Sequence, residues 1–320
     1  MDAVVLAGGF ATRLWPITRH RPKMLLPIGD GTVIDRIFGD LEDDDRVDRV
    51  LVSTNQEFAE EFREYLADSE FQKPSVSVED TSSEGEKFGV VGALAQLIDR
   101  EEVTDDMLVI AGDNYIEYDL STFIDTFERR DAPTLAAYDV GSPERASSYG
   151  IVTLDGKRVV DFQEKPENPE STLVSIACYA FPADGLGLFE EYLEGGNNPD
   201  EPGWFIQWIQ NRIPTYAFPF EDAWFDIGEP EAYLDTVAFH LDGGTKVEPD
   251  ATVTNSELGE NVLILGDAEV TDASLEETVV FPGVEIDGAT IEGSIVDEEA
   301  VVDGVDLTGS LVGAYTRLSE

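Results

Sequence analysis

The helical period stops at Gly243-Gly244, and no other feature of the 320 residues limits the fold so tightly. Before that point, apolar runs of strand length alternate with amphipathic segments. The runs are DAVVLA at the start, RVLVST around Val50, SVSVED around Val76, DMLVIAG ending at Gly112 and TLAAYDV around Ala136. The amphipathic stretches begin at Thr32, Glu57, Gly92 and Leu120. Alternation at this spacing predicts an α/β domain, a mainly parallel sheet with helices on both faces, and ligands in such sheets sit at the carboxyl ends of strands. From about Tyr149 shorter pieces, YGIVTLDGKRVVDFQEK and TLVSIACYAFP, predict an antiparallel insertion or edge, which makes the sheet mixed. Helical segments follow around Phe189 and Trp208. A last helix, EPEAYLDTVAFHLD, runs into the two glycines, a stop signal.

Beyond Gly244 aliphatic residues recur six apart, at Val247 and Val253, Ile264 and Val270, Val280 and Ile286, and Ile295, Val301 and Leu307. Gly, Asn, Asp and small residues fill the gaps. A six-residue period predicts a parallel β-helix in which each coil covers the apolar face of the next; an all-β sandwich is the plainer alternative. The chain therefore divides at 1–243 and 244–320, a Rossmann-like α/β domain followed by coils.

Charge decides what such a chain can bind. Sixty-eight Asp and Glu face 20 Lys and Arg, a net charge of -48. A surface this acidic cannot coat a phosphate backbone with cations, and an anionic membrane repels it, so neither nucleic acid nor membrane is expected as a partner. With 42% hydrophobic residues the composition still fills a core, so the charge is a solvated skin. Molar salt screens such self-repulsion within about 3 Å, and a halophilic, salt-rich cytoplasm is the economical explanation. Cys178 is the only cysteine, which fits a reducing compartment and a buried apolar filler. The start has no basic n-region, and no apolar run approaches the roughly 20 residues that span a bilayer. A cytoplasmic protein is expected.

Against that background residues 3–29 contain no acid and hold Arg13, Arg19, Arg21 and Lys23. A strand delivering Gly8-Gly9 to such an island suits a polyanion: glycines let backbone N–H groups approach phosphates, and the cations neutralise them. The segment is neither a P-loop nor a dinucleotide fingerprint. Residues 6–30, LAGGFATRLWPITRHRPKMLLPIGD, do resemble the signature of the sugar-1-phosphate nucleotidylyltransferases, L-A-G-G-x-G-T-R-L-x-P-x-T followed by P-K-x-L-x-P. The resemblance continues at Gly112-Asp113-Asn114, at Tyr149-Gly150, at Glu164-Lys165-Pro166 and at WFDIG with EPEAYL from Trp224, and so covers the first 240 residues. The C-terminal repeats resemble the left-handed β-helix appended to many members.

The resemblance implies transfer of a nucleotidyl group from an NTP to a sugar-1-phosphate, glucose-1-phosphate first among candidates. It implies that Leu6, Ala7, Gly8, Gly9, Thr12 and Gly89 bind the nucleotide, with Arg13 on the departing pyrophosphate and Lys23 on the α-phosphate and sugar phosphate. Lys165 would grip the sugar phosphate, and Tyr149, Gly150 and Glu164 would line the sugar. Asp113 and Asp226 would hold Mg²⁺, since two carboxylates suit a hard cation that keeps several waters. In-line attack on phosphorus needs alignment and neutralisation more than covalent help, which suits these residue types.

The sequence departs from the pattern at Ala11, where a glycine is usual and whose replacement constrains the turn, and at Val90-Val91. The strand VSIACYAF lacks the Asn and Gly frequent in the sugar-binding strand. Glu84 stands where glutamine often reads thymine or uracil; a carboxylate also accepts from guanine, so dTTP or UTP is favoured with GTP kept as the alternative, in a mannose-1-phosphate guanylyltransferase. A non-catalytic regulatory paralogue is the second alternative, although no motif lysine or carboxylate is missing. Acyl transfer by the coils is rejected, because His20 and His240 are the only histidines and both precede them. The coils are expected to serve assembly of a homo-oligomer. Trp204, Phe205 and Trp208, spaced i, i+1, i+4, read as helix core rather than a stacking platform.

Overall fold

The computed structural model describes residues 1–79 and 89–320; Glu84 lies outside the described residues. The chain forms two compact units, Met1–Gly9 with Asp35–Trp224, and Phe10–Ile34 with Phe225–Glu320. This partition differs from the one that periodicity marks at Gly244, because the acid-free segment and the helix before the glycines group with the coils.

The first unit is built on one sheet of nine strands: β1 Asp2–Leu6, β2 Arg49–Thr54, β3 Pro74–Val78, β4 Met107–Ala111, β5 Thr134–Asp139, β6 Gly150–Asp155, β7 Arg158–Glu164, β8 Leu173–Phe181 and β9 Tyr216–Phe220. Their order is β3-β2-β1-β4-β8-β5-β9-β7-β6. The first four are parallel, with Asp2 opposite both Arg49 and Met107. β8 then runs antiparallel to both β4 and β5, and β6 and β7 form an antiparallel hairpin at the far edge. The hairpin lies where an edge was expected, whereas β8 lies inside the sheet. The reason is its composition: Val174, Ile176, Cys178, Tyr179, Ala180 and Phe181 are all buried, and only an interior strand covers both faces of such a run.

Helices cover the sheet where their apolar stripes dictate. In Leu120–Arg130 the buried apolar residues are Leu120, Phe123, Ile124 and Phe127, a 3.6-residue stripe. Asp119 caps its start by accepting from the Ser121 amide at 2.8 Å, and Arg129 and Arg130 close its last turn. Phe205 of the helix Pro202–Ile209 is buried and stacks on Phe189 at 4.2 Å, as core spacing predicts, while Trp204 faces outward.

In the second unit the helix Pro230–Leu241 precedes three parallel sheets that the chain visits in rotation. One sheet stacks Thr245–Val247, Val262–Ile264, Val279–Val280, Ile295–Val296 and Leu311–Val312. This arrangement fits a β-helix. From the second coil on, the six-residue spacing holds between the first and second sheets, from Ile264 to Val270 and from Val280 to Ile286. The next steps, Val270 to Leu275 and Leu275 to Val280, are five residues, so Val280 pairs with Ile264 sixteen residues back. Positive φ angles at Asn255, Asn261, Asp267, Asp272, Gly288 and Gly304 mark corners, which accounts for the residue types between the aliphatics. Val247, Val253, Val301 and Leu307 of the expected ladder are not fully buried, and Val302 takes the inward place beside Ile286.

Candidate active site

Within the first unit β1 carries the loop Ala7-Gly8-Gly9 between β2 and β4. The Ala7 amide donates to the Ser53 carbonyl at 2.7 Å, and the Gly112 amide donates to the Leu6 carbonyl at 2.9 Å. Asn55 Nδ2 holds the Gly8 carbonyl at 3.1 Å. The loop and Asp113 therefore lie at the carboxyl ends of adjacent parallel strands, the ligand edge of such a sheet. A Cβ on Gly8 would stand 2.9 Å from Glu79 Oε1, so a larger residue there would displace the carboxylate, while at Gly9 the space is open. Ser53 Oγ donates to the same carboxylate at 2.9 Å. Among the described residues, Glu79, directly after β3, is thus an acid that lies against the loop. Sequence reasoning did not single out Glu79, although the end of an apolar strand was the available signal.

Asn114, next to Asp113, accepts a 2.6 Å hydrogen bond from Trp224 Nε1, which ties the GDN and WFD motifs together; Tyr149 packs edge-on against the same indole. The carboxylate of Glu164 sits in a cradle of two glycines. A Cβ would meet Glu164 Oε2 at 2.8 Å from Gly150 and at 1.6 Å from Gly203. Burial, the larger effect, and the Glu201 charge push the Glu164 carboxyl up to about 7, against the pull of Lys165. Lys165 takes a left-handed φ of 43°, uncommon for a long side chain, and its ammonium pairs with Glu201. Gly89, at φ 74°, serves a close approach of a different kind: a Cβ there would collide with the backbone of Pro199, whose carbonyl, with that of Asp200, accepts the first amides of the helix Val90–Arg100.

The second unit holds Thr12, Arg13, Lys23 and Asp226. The turn before Thr12 passes through Ala11 at φ 47° and ψ 43°, the left-handed conformation for which a glycine is usual. Arg13 lies against Gly228: a Cβ there would stand 2.9 Å from Arg13 Nη2 and 3.7 Å from Asp226 Oδ1. Its 3.1 Å ion pair with Glu229 is solvent-exposed and weak, so the guanidinium is held loosely and stays accessible. Lys23 is the opposite case, nine-tenths buried in a single 3₁₀ turn. Arg21, counted among the cations of the island, is turned away to pair with Asp297 and Glu298 at 2.9 and 2.8 Å.

The first unit thus places a glycine loop and the half-buried Asp113 at the carboxyl edge of a parallel sheet, the edge at which α/β proteins of this class bind their ligands. Residues 2–243 match the nucleotidyl transferase family, and the chain belongs to it. A Sulfolobus acidocaldarius protein provisionally assigned as a mannose-1-phosphate guanyltransferase is 30% identical over 241 residues, 73% of this chain and 61% of that protein. A UTP–glucose-1-phosphate uridylyltransferase of Synechocystis is 28% identical over 248 residues, 74% of this chain and 62% of that protein. The chain thus spans less than two thirds of either relative. Among solved structures, a Bacillus anthracis protein provisionally assigned as a glucose-1-phosphate thymidylyltransferase, in complex with sucrose, shares the fold at a TM-score of 0.65 and 22% identity, over 75% of this chain and 95% of that one.

Proposed function

We propose that the protein transfers a nucleotidyl group from an NTP to a sugar-1-phosphate, releasing pyrophosphate and an NDP-sugar. The observation that carries this reading is the glycine loop at the ligand edge of the sheet, in a family-matched chain whose next residues hold Arg13 and Lys23 and no acid. A sugar-phosphate oxygen attacks the α-phosphorus in line, the new P–O bond forms as the bond to pyrophosphate breaks, and Arg13 and Lys23 neutralise the developing charge. Lys165 and Glu164 hold the sugar phosphate and a sugar hydroxyl. Mg²⁺ suits the donor type: Asp113 in the first unit and Asp226 in the second are each a half-buried carboxylate of the kind that would hold a hard cation together with phosphate oxygens and water, where it would supply charge neutralisation.

Glu79 moves the base assignment. Guanine presents N1–H and N2–H₂ on one edge, two donors for one carboxylate, whereas uracil and thymine present a single N3–H between two carbonyls that a carboxylate repels. GTP is therefore favoured over the dTTP or UTP read from the sequence, with a hexose-1-phosphate as acceptor. The test is pyrophosphate release over four NTPs and several sugar-1-phosphates in molar KCl. GTP turnover that shifts toward UTP or dTTP in Glu79→Gln supports the reading; a pyrimidine preference in the wild type removes the role of Glu79, and no release with any pair leaves a nucleotide-sugar-binding regulatory protein.

The three-sheet coils wind as a left-handed β-helix and join copies into a homo-oligomer, a reading supported by apolar residues at both ends, Val247 at 38% and Tyr315 at 74% exposure. Light scattering decides it. Among the described residues no helix is long and apolar enough to cross a membrane. The single buried cysteine and the net charge of -48 support a reducing, salt-rich cytoplasm as the working environment.

A further inference from the structure

We propose that Asp297, on the coils, is a positioning residue: through Arg21 it fixes the segment Phe10–Ile34 that presents Arg13 and Lys23. The kinetic consequence rests on the nucleotidyl-transfer reading; the structural claim does not.

Within the second unit the segment is held in two halves. Its later half is tied to the helix Pro230–Leu241 and the first coil strand, where Tyr233 Oη donates to the Pro27 carbonyl at 2.7 Å, the imidazole of His240 fills the space beside Gly29, and Lys246 pairs with Asp30. Its earlier half, between Arg13 and Lys23, is tied to later coils. Arg21 donates to Asp297 Oδ1 and Glu298 Oε1, and its guanidinium lies over the buried ring of Phe281 at 4.7 Å. A Cβ on Gly313 would stand 3.0 Å from both Cβ and Cγ of Pro16, so the last coil touches the segment three residues beyond Arg13.

The Asp297 arrangement is specific. The residue is 2% exposed, and its carboxylate also accepts from the amides of Glu298 and Ala314. A buried acid among acids that are mostly solvated is costly unless it is paired, and here the partner is a cation taken from the phosphate-binding island. Since a misplacement of about 1 Å at a positioning group can cost 10²-fold in rate, coils that fix residues 16–21 influence Arg13 and Lys23 without touching substrate. A chain ended at Gly243 is accordingly expected to lose turnover as well as assembly.

The test uses the full chain with Asp297→Asn and, independently, Gly313→Leu, which pushes on Pro16 and removes no charge. Hydrogen–deuterium exchange should quicken in peptides covering residues 10–34 and stay unchanged over coil residues 262–280, with kcat reduced about tenfold or more and KM for NTP raised. Asp297→Glu should restore part of both. Unchanged exchange over 10–34 in both variants overturns the proposal. If Asp297→Asn unfolds the coils, Gly313→Leu decides alone: quickened exchange confined to 10–34 supports the proposal and none refutes it. A wild type without NTP-dependent turnover would refute the enzyme reading, while the exchange measurement still decides the tether.

Discussion

At the residue scale the cations are not interchangeable. Arg13 is two-thirds exposed, Lys23 nine-tenths buried, and Arg21 is committed to the coils. Because Lys23 is buried, truncation to alanine would mix cavity and charge effects; Lys23→Met keeps the stem and removes the charge. We expect kcat to fall about 10²-fold or more with the thermal midpoint preserved, and near-wild-type kcat would remove Lys23 from the chemistry. Glu164 gives a pH signature. Its folded value near 7 lies above the ordinary value of 4.5, so between those limits the folded state binds a proton that the unfolded chain releases. Stability from this group is therefore present below the ordinary value and declines as pH rises toward 7. The ionised carboxylate accepts more strongly from a sugar hydroxyl than the protonated form, so KM for the sugar-1-phosphate should fall as pH rises through about 7, measured from pH 5.5 to 8.5. Glu164→Gln should flatten that profile; an unchanged profile in the variant would assign the titration elsewhere.

At the element scale the coils show how a period is met only approximately. Steps of six, five and five residues bring one aliphatic per side into the interior, and left-handed corners absorb the missing residues. Ile286 is buried between Val270 and Val302 in a parallel stack. Ile286→Ala should destabilise the coils by about 2–5 kcal/mol, because neighbours above and below cannot both collapse into the space. Chemical denaturation monitored on the coil amides checks this; a loss under about 1 kcal/mol would mean that the stack is loosely packed.

At the scale of the whole molecule, like charges stack in register along the coils. Glu269 lies beside Glu285, Asp287 beside Asp303, and Glu276 beside Glu292. Parallel neighbours lie roughly 4.8 Å apart, well inside the Debye length of about 10 Å at 0.1 M salt, so they repel until salt screens them. The unfolding midpoint should rise from low salt to molar KCl, in a scanning-calorimetry series. A flat or falling midpoint would show that the acidic skin carries no cost for salt to remove.

The sequence by itself determined what is periodic or local. Strand–helix alternation and the stop at Gly244 sufficed for the α/β sheet and the coils, since burial imposes period 2 or 3.6 on any element that packs. The motif runs sufficed for Gly8, Arg13, Lys23, Asp113 and Asp226 as candidates. Pairing over long sequence separation was decided only by tertiary structure. β8 entered the sheet because its two apolar faces needed cover, which no edge provides. Glu79 reached Gly8 because β3 pairs beside β2 and ends level with the loop. Asp297 and Arg21, 276 residues apart, met because a buried acid needs a cation and the coils bring it to one. In a chain with 68 acids, charge alone could not single out that aspartate; its burial did.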